Sequence, residues 1–377
     1  MELRTDARWA LVVPTSMGVR LTPEQRQPVH TSDRFLLQAT SAETNVASVL
    51  SSLGEPAKVL TAFVAGSPVA ALIKANLRAR NLSYEGPELP QGDAWGFRHQ
   101  FNIADAGFGG RAPRVWNDRA GEVGRELSAD QFDLETLFGT EGVKILHLSG
   151  LIASLSPKTS QFCLELARAA KAHGTVVSMD MNYRASFWKG REEELSRTFD
   201  ELAGLCDILY GNEEDFQLCL GIAGPAAGGA DIESETASFA AMIGRITQRY
   251  PSARWIGTSP REVVSANHHR WGSSSGTTAS SRRLQAVARH RRHRTAVATV
   301  GVGGVLYGIV KAGTSNAVPG FGWACGALAA TSVTDYAAPA DEAQVWAIWD
   351  GNARVQRRRR PPPHPSASPL PHPAADA

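Results

Sequence analysis

Three consecutive segments decide how this chain is read: VKILHLSG (Val143–Gly150), TVVSMDMNYR (Thr175–Arg184) and DILYGNEEDF (Asp207–Phe216). Each is a short apolar run that ends in polar residues. Amphipathic stretches fill the gaps, Pro157–Ala172 and Arg191–Leu205. Short apolar strands alternating with helices imply a parallel sheet covered on both faces. In such sheets ligands bind beyond the carboxyl ends of the strands. Asp180, Arg184, the asparagines 182 and 212 and the acidic pair 213–214 therefore point toward one crevice. That charge mixture suits an anionic small molecule together with a metal-bound phosphate.

Working outward, Arg8–Pro14 reads as a first strand and Ser16–Asp33 as a polar, irregular connection. Ser41 is placed to cap a helix running to about Leu53, with Thr44 near the third helical position. Lys58–Val64 is the next strand. Ser67–Arg80 is a helix with Ser67 as cap and Pro68 at its first position. Gly86–Ala120 is rich in Gly, Pro and aromatics, and its apolar residues alternate. Trp95–Ile103 and Arg114–Asn117 could be antiparallel strands of a small lid, or the whole segment could be an irregular surface loop. Beyond the central segments come a helix at Ala237–Tyr250, a strand at Arg254–Gly257, and helices at Gly303–Lys311, Phe321–Ser332 and Pro339–Asn352.

The length of 377 residues suffices for one large α/β domain. A net charge of +2 gives no reason to expect nucleic acid, and no apolar run is long enough to cross a membrane. The four cysteines, Cys163, Cys206, Cys219 and Cys325, show no metal-ligand spacing. They read as reduced core residues of a cytoplasmic protein. Residues 358–377 are Arg- and Pro-rich without a core pattern, so a disordered tail is expected.

The strand ends resemble those of the ribokinase-like (PfkB) sugar kinases, and within them the branch that phosphorylates 2-keto-3-deoxygluconate. SAETNVA (Ser41–Ala47) stands where the family opens a helix with Gly-Gly-x-x-x-Asn-x-Ala. DMNYRASFW (Asp180–Trp188) is similar to its Asp-x-Asn-x-Arg strand end, and NEEDF (Asn212–Phe216) to its Asn-x-x-Glu motif. DEAQVWAIWDGNARVQR (Asp341–Arg357) resembles the C-terminal helix of this branch. The resemblance covers roughly residues 8–267 and 303–357. It implies a ribokinase-like α/β fold: a mostly parallel sheet with helices on both faces and a small β lid, spanning residues 1–357 with lid segments near 15–33 and 86–120.

It also implies roles. Arg184 and the lid residue Arg119 would contact a substrate carboxylate, and Ser41 and Asn45 the sugar hydroxyls. Asn182, Asn212, Thr258, Gly301 and Gly303 would bind the nucleotide, and Glu213 and Glu214 would hold the waters of a magnesium ion. The partners implied are a sugar acid and Mg2+-ATP, with no nucleic acid and no membrane. Each residue has a plainer reading: an ion pair at a strand end for Asp180 and Arg184, a solvated first helical turn for Glu213 and Glu214, a helix-surface position for Asn45. Three departures stand out. Ser41 and Ala42 replace the family's glycines. Asp215 replaces the motif glutamate. Thr15-Ser16-Met17 lacks an acidic start.

The largest departure concerns the catalytic base. The family places Gly-x-Gly-Asp just before a helix, where glycine amides hold phosphate and the aspartate takes the hydroxyl proton. Here the corresponding residues, Thr295–Gly304, read TAVATVGVGG, and no Asp or Glu occurs between Val263 and Thr334. No catalytic residue is assigned: the expected aspartate is missing near Ala298–Val302. The preceding stretch carries Arg282-Arg283 and Arg289–Arg294 and reads poorly as an internal strand. A shifted reading frame across residues 273–302 would account for both features. With suitable codons, Gly272–Thr278 read from the third base gives Leu-Val-Leu-Trp-Asp-Asp-Gly. In the same frame, Arg294–Val300 gives Asp-Arg-Gly-Gly-Asp-Gly. The expected activity is thus phosphorylation of 2-keto-3-deoxygluconate to its 6-phosphate, impaired in this polypeptide. The rivals are another PfkB sugar or nucleoside kinase and a non-catalytic sugar-acid-binding protein.

Overall fold

The computed structural model describes residues 1–108, 110–225, 236–258, 297–313, 317–332 and 335–351. Between 259 and 296 it describes the backbone of four short strands. The expected tail at 358–377 lies outside the described residues.

The three deciding segments form adjacent parallel strands, β10 (Val143–Ser149), β11 (Val176–Asp180) and β12 (Ile208–Tyr210). Their register pairs Ser149 with Asp180 and Asp180 with Tyr210, so the polar ends lie side by side. β1 (Trp9–Pro14), β4 (Ala57–Leu60) and β6 (Ser83–Glu85) extend the sheet on one side. β13 (Trp255–Thr258) extends it on the other, and β16 (Ser274–Thr277) closes that edge antiparallel to β13. The stretch that read poorly as an internal strand thus supplies an edge strand, where one ladder side needs no partner. Three further strands, β14 (Arg261–Ser265), β15 (His268–Trp271) and β17 (Ala288–His290), form a small antiparallel sheet.

Burial on both faces explains the unbroken apolar runs. Val12, Leu146, Val177 and Leu209 pack into one core, and their neighbours Leu11, Val13, Ile145, Val176 and Ile208 into another. The first core is filled by α4 (Pro157–Ala172), α6 (Glu192–Leu205), α7 (Glu213–Leu220) and α8 (Thr236–Arg249), with the one-turn α3 (Gly150–Ala153) and α5 (Ala185–Trp188) at its strand-end side. The second is filled by α1 (Ala42–Ser52), α2 (Pro68–Ala79), α9 (Val297–Ala312), α10 (Val318–Ala330) and α11 (Glu342–Trp349). The expected caps form: the Ser41 hydroxyl accepts from Thr44 N, and the Ser67 hydroxyl from Val69 N and Ala70 N. All four cysteines are free and buried, and no helix among the described residues is long and apolar enough to cross a membrane.

The lid is a four-stranded sheet in the order β3 (Phe35–Thr40), β2 (Gly18–Pro23), β8 (Gln100–Asp105) and β9 (Arg114–Asp118). Two strands expected from Gly86–Ala120 form and pair antiparallel, the second near its expected residues and the first at Gln100–Asp105 rather than Trp95–Ile103. The connection expected to be irregular at Ser16–Asp33 contains β2 at Gly18–Pro23, followed by short turns at Glu24–Arg26 and Val29–Thr31. The alternation of β2, interrupted by Arg20, is completed by β3 and β8, whose residues lie far away in the chain. Two other boundaries differ. The run Lys58–Val64 breaks after Leu60, and Phe63–Val64 (β5) pairs separately with Glu88–Leu89 (β7). Helix α9 starts at Val297, before the expected Gly303.

Candidate active site at the strand ends

The loop after β11 is held by backbone and carboxylate together. Asn182 takes a left-handed conformation (φ 40°), which asparagine tolerates better than most residues. Its Nδ2 donates to Ser149 Oγ at 3.1 Å. Asp215 Oδ1 accepts from Tyr183 N at 2.9 Å, and Oδ2 accepts from Asn212 N at 3.0 Å. Asn212 Oδ1 in turn accepts from Asp215 N at 2.8 Å. The shortened motif carboxylate therefore closes a capping box and pins the neighbouring strand end. Asp180 is buried beneath this loop. Burial, then the nearby Asp215, push its carboxyl up to about 8, against the pull of Arg184. A carboxyl group near 8 can give or take a proton at neutral pH.

The opening turn of α1 is polar and buried. Glu43 is fully buried, and its Oε2 accepts from Thr15 Oγ1 at 2.5 Å. Burial raises its carboxyl above the usual range. Asn45 donates from Nδ2 to Asp335 Oδ2 at 3.3 Å. Asp335, the first carboxylate after the acid-free stretch, also pairs with Arg20 and Thr40, and Arg20 Nε donates to Asn102 Oδ1 at 2.8 Å. Asn45 is thus a buried junction between α1, the lid and the C-terminal segment, rather than a helix-surface residue. Five oxygens around the base of the lid are buried without a hydrogen-bond partner: Gln38 Oε1, Glu43 Oε1, Asn45 Oδ1, Thr61 Oγ1 and Gln100 Oε1. Gln100 opens β8 and stands in register with Gly18, which is also paired with Thr40, one residue before the α1 cap. Buried polar atoms without partners cost free energy unless a ligand or water satisfies them.

Arg119 follows β9. Its Nη1 donates to both carboxylate oxygens of buried Glu122, at 2.7 and 2.9 Å, and its guanidinium lies 5.2 Å from the centroid of the Phe187 ring. Phe187 stands three residues beyond Arg184. Arg184 itself is exposed, with Nη1 donating to Tyr183 O at 2.6 Å. Of the two arginines expected at a substrate carboxylate, Arg119 lies against the Phe187 ring, and Phe187 N donates to the backbone carbonyl of Arg184 at 2.9 Å.

On the opposite side of the strand ends, Thr258 closes β13 with its hydroxyl buried and unpartnered. Asn212 is half-buried at the start of α7, and Glu214 is exposed in that helix's first turn. Glu213 precedes it, its side chain outside the described residues. The unpartnered Thr258 hydroxyl and the acidic first turn of α7 fit a nucleotide phosphate with its magnesium. Gly301 and Gly303 are placed otherwise than expected. Both lie inside α9, beyond the first four residues whose N–H groups are free of intrahelical bonds. Here glycine serves packing: a Cβ on Gly303 would meet Val46 O at 2.7 Å, and one on Gly304 would meet Cys325 Sγ at 2.8 Å.

Sequence reasoning passed over Glu43, Glu122 and Asp335. Glu43 lies within the quoted SAETNVA segment. An acidic residue in a first helical turn ordinarily faces water and the helix dipole, so its burial left no signal. Asp335 ends the acid-free stretch, and that interruption was the available clue.

A parallel sheet covered on both faces, a β lid over the carboxyl ends and a buried carboxyl among them define the ribokinase-like class. Residues 125–249 match the pfkB family of carbohydrate kinases. The chain is 26% identical over 211 residues to a 2-dehydro-3-deoxygalactonokinase of Haloferax volcanii, covering 55% of this chain and 62% of that protein. It is 31% identical over 104 residues to a 5-dehydro-2-deoxygluconokinase of Clostridium perfringens, covering 28% and 29%. These alignments span less than two thirds of either relative. Among solved structures, the 2-dehydro-3-deoxygluconokinase of Thermotoga maritima superposes with a TM-score of 0.80 at 22% identity, over 91% of this chain and 98% of that one. A putative ribokinase II of E. coli, in complex with ATP and Mg2+, gives 0.71 at 14% identity, over 91% and 99%. The fold is ribokinase-like, and the resemblance to the PfkB carbohydrate kinases holds.

Proposed function

We propose that this chain binds a carboxylate-bearing deoxy keto sugar of the 2-keto-3-deoxygluconate type. It is built as an ATP-dependent kinase for the terminal hydroxyl of that sugar, with turnover impaired in this polypeptide. The observation that carries the reading is the set of five unpartnered buried oxygens around the base of the lid. All five accept hydrogen bonds, and a polyhydroxylated ligand supplies O–H donors. Arg119 and Arg184 supply cationic donors for a carboxylate, which a plain sugar or nucleoside lacks. The named relatives phosphorylating dehydro-deoxy sugar acids support the same substrate class.

When bound, Mg2+-ATP supplies the phosphoryl group and the neutralisation of its charge. Asn182, Asn212 and Thr258 are the residues of this chain suited to the phosphates, and Glu213 and Glu214 those suited to the hydrated metal. Lid residues Arg20, Gln38 and Asn102 exclude water from the sugar. The proton of the attacking hydroxyl has no carboxylate to receive it at the start of α9, which opens Val297-Ala298-Thr299-Val300. A positioned base contributes roughly 10²–10⁴-fold.

Calorimetry with 2-keto-3-deoxygluconate, beside an ADP-release assay on sugar acids, neutral sugars and nucleosides, tests this. Selective binding of the acid with slow or no turnover is expected. Binding that ignores the carboxylate would remove the substrate assignment, and turnover at the rate of intact relatives would remove the impairment.

A further inference from the structure

We infer that Glu122 is a positioning residue that turns Arg119 into a fork for the substrate carboxylate; this rests on the sugar-acid reading above. Glu122 is 1% exposed. Its Oε1 accepts from Ser16 Oγ at 2.5 Å, and both of its oxygens accept from Arg119 Nη1. A buried carboxylate is costly unless paired and hydrogen-bonded, so Glu122 is held where it is by these two partners. The surrounding turn is fixed too: Arg98 N donates to Gly121 O at 2.8 Å, and Val123 N donates to Arg98 O at 2.9 Å.

The consequence for Arg119 is geometric. Glu122 engages Nη1 alone. Nε and Nη2, which form the side-on edge of the guanidinium, have no hydrogen bond to any described residue. That edge is the one that grips a carboxylate with two parallel N–H···O bonds. Phe187 lies against the guanidinium at 5.2 Å and limits its tilt. One edge and one face are therefore fixed by the protein, and the second edge is left open. Ser16 lies in the connection between β1 and β2, and Arg119 follows β9, so Glu122 also ties the last lid strand to the segment that leads into the lid. Arg119 also lies near enough to buried Glu43 for its charge to act on that carboxyl, against the upward push of burial. Glu122 balances the cation when the site holds no substrate.

The test is calorimetry on the full chain with 2-keto-3-deoxygluconate and with its methyl ester, which keeps the hydroxyls and removes the charge. Wild type is expected to prefer the acid. Glu122→Gln is expected to lose at least tenfold of that preference while binding the ester as before. Glu122→Asp, which keeps the charge but cannot span both Ser16 and Arg119, is expected to lose part of it and to carry the test if the glutamine variant does not fold. Full acid preference retained in a folded variant would overturn the positioning role. Equal loss of acid and ester would make Glu122 a general support of the lid and overturn it as well. A wild type without acid preference would instead sink the sugar-acid reading itself, and this inference with it.

Discussion

Two helices meet where Gly303 touches Val46, and they open on opposite chemistry. Helix α1 begins with a serine cap and buries Glu43, Thr44 and Asn45 within its first turn. Helix α9 begins Val-Ala-Thr-Val and buries Val300 and Val302 among apolar neighbours. Burying polar groups without full satisfaction works against stability. A helix that does so at a strand-end crevice is arranged for a ligand. A helix opening without one ionisable group is arranged for packing alone. On the proposed reading, the contrast separates binding, for which the start of α1 supplies buried polar groups, from proton removal, for which the start of α9 supplies no carboxylate.

The largest test of that contrast is to restore the missing group. The shifted reading places its aspartate at codon 298, in the first turn of α9. Ala298→Asp is expected to raise ADP release with 2-keto-3-deoxygluconate by about 10²-fold or more, and an unchanged rate would break the comparison. Sequencing the gene across codons 268–305 sharpens it, since paired insertions or deletions there would restore the acid in the true product. The next effect is on packing. Gly303→Val drives a side chain into the backbone carbonyl of Val46 and should cost about 3 kcal/mol in urea denaturation.

The buried Asp180 gives a pH signature. Between its unfolded value of roughly 4 and its folded value of about 8, the folded chain keeps a proton that the unfolded chain has released. Stability should therefore fall as pH rises through that window. Thermal melts of Asp180→Asn at pH 5 and pH 8 should show a smaller fall than wild type. The smallest effect expected is at the α1 cap, where Ser41→Ala should cost about 1 kcal/mol of stability, read from the shift in denaturation midpoint.

The central strands and helices were legible because both faces of the sheet are buried and the apolar runs are unbroken: α4 falls on the expected residues, and β10 and β11 within a residue or so. The lid was legible only in part. β2 and β3 owe their pairing to each other and to β8 rather than to a local pattern, so Ser16–Asp33 looked irregular. The site was legible as a set of strand ends, but not in the partners of its residues. Asp215 reads as a motif position and proves to be a clamp on two loops. Gly301 and Gly303 read as a phosphate cradle and lie within a helix interior. The feature that best organises the crevice, a fully buried Glu43, has the same local sequence as an ordinary solvated helix start.

The two apolar cores on either face of the sheet contain none of the groups assigned to substrate or nucleotide. Packing of the sheet and the chemistry at its strand ends therefore rest on different residues in this molecule. On the proposed reading, loss of the base carboxylate at the start of α9 would leave the residues of both cores in place. Such a polypeptide would be an intact scaffold, free to drift toward sensing a molecule it had ceased to convert.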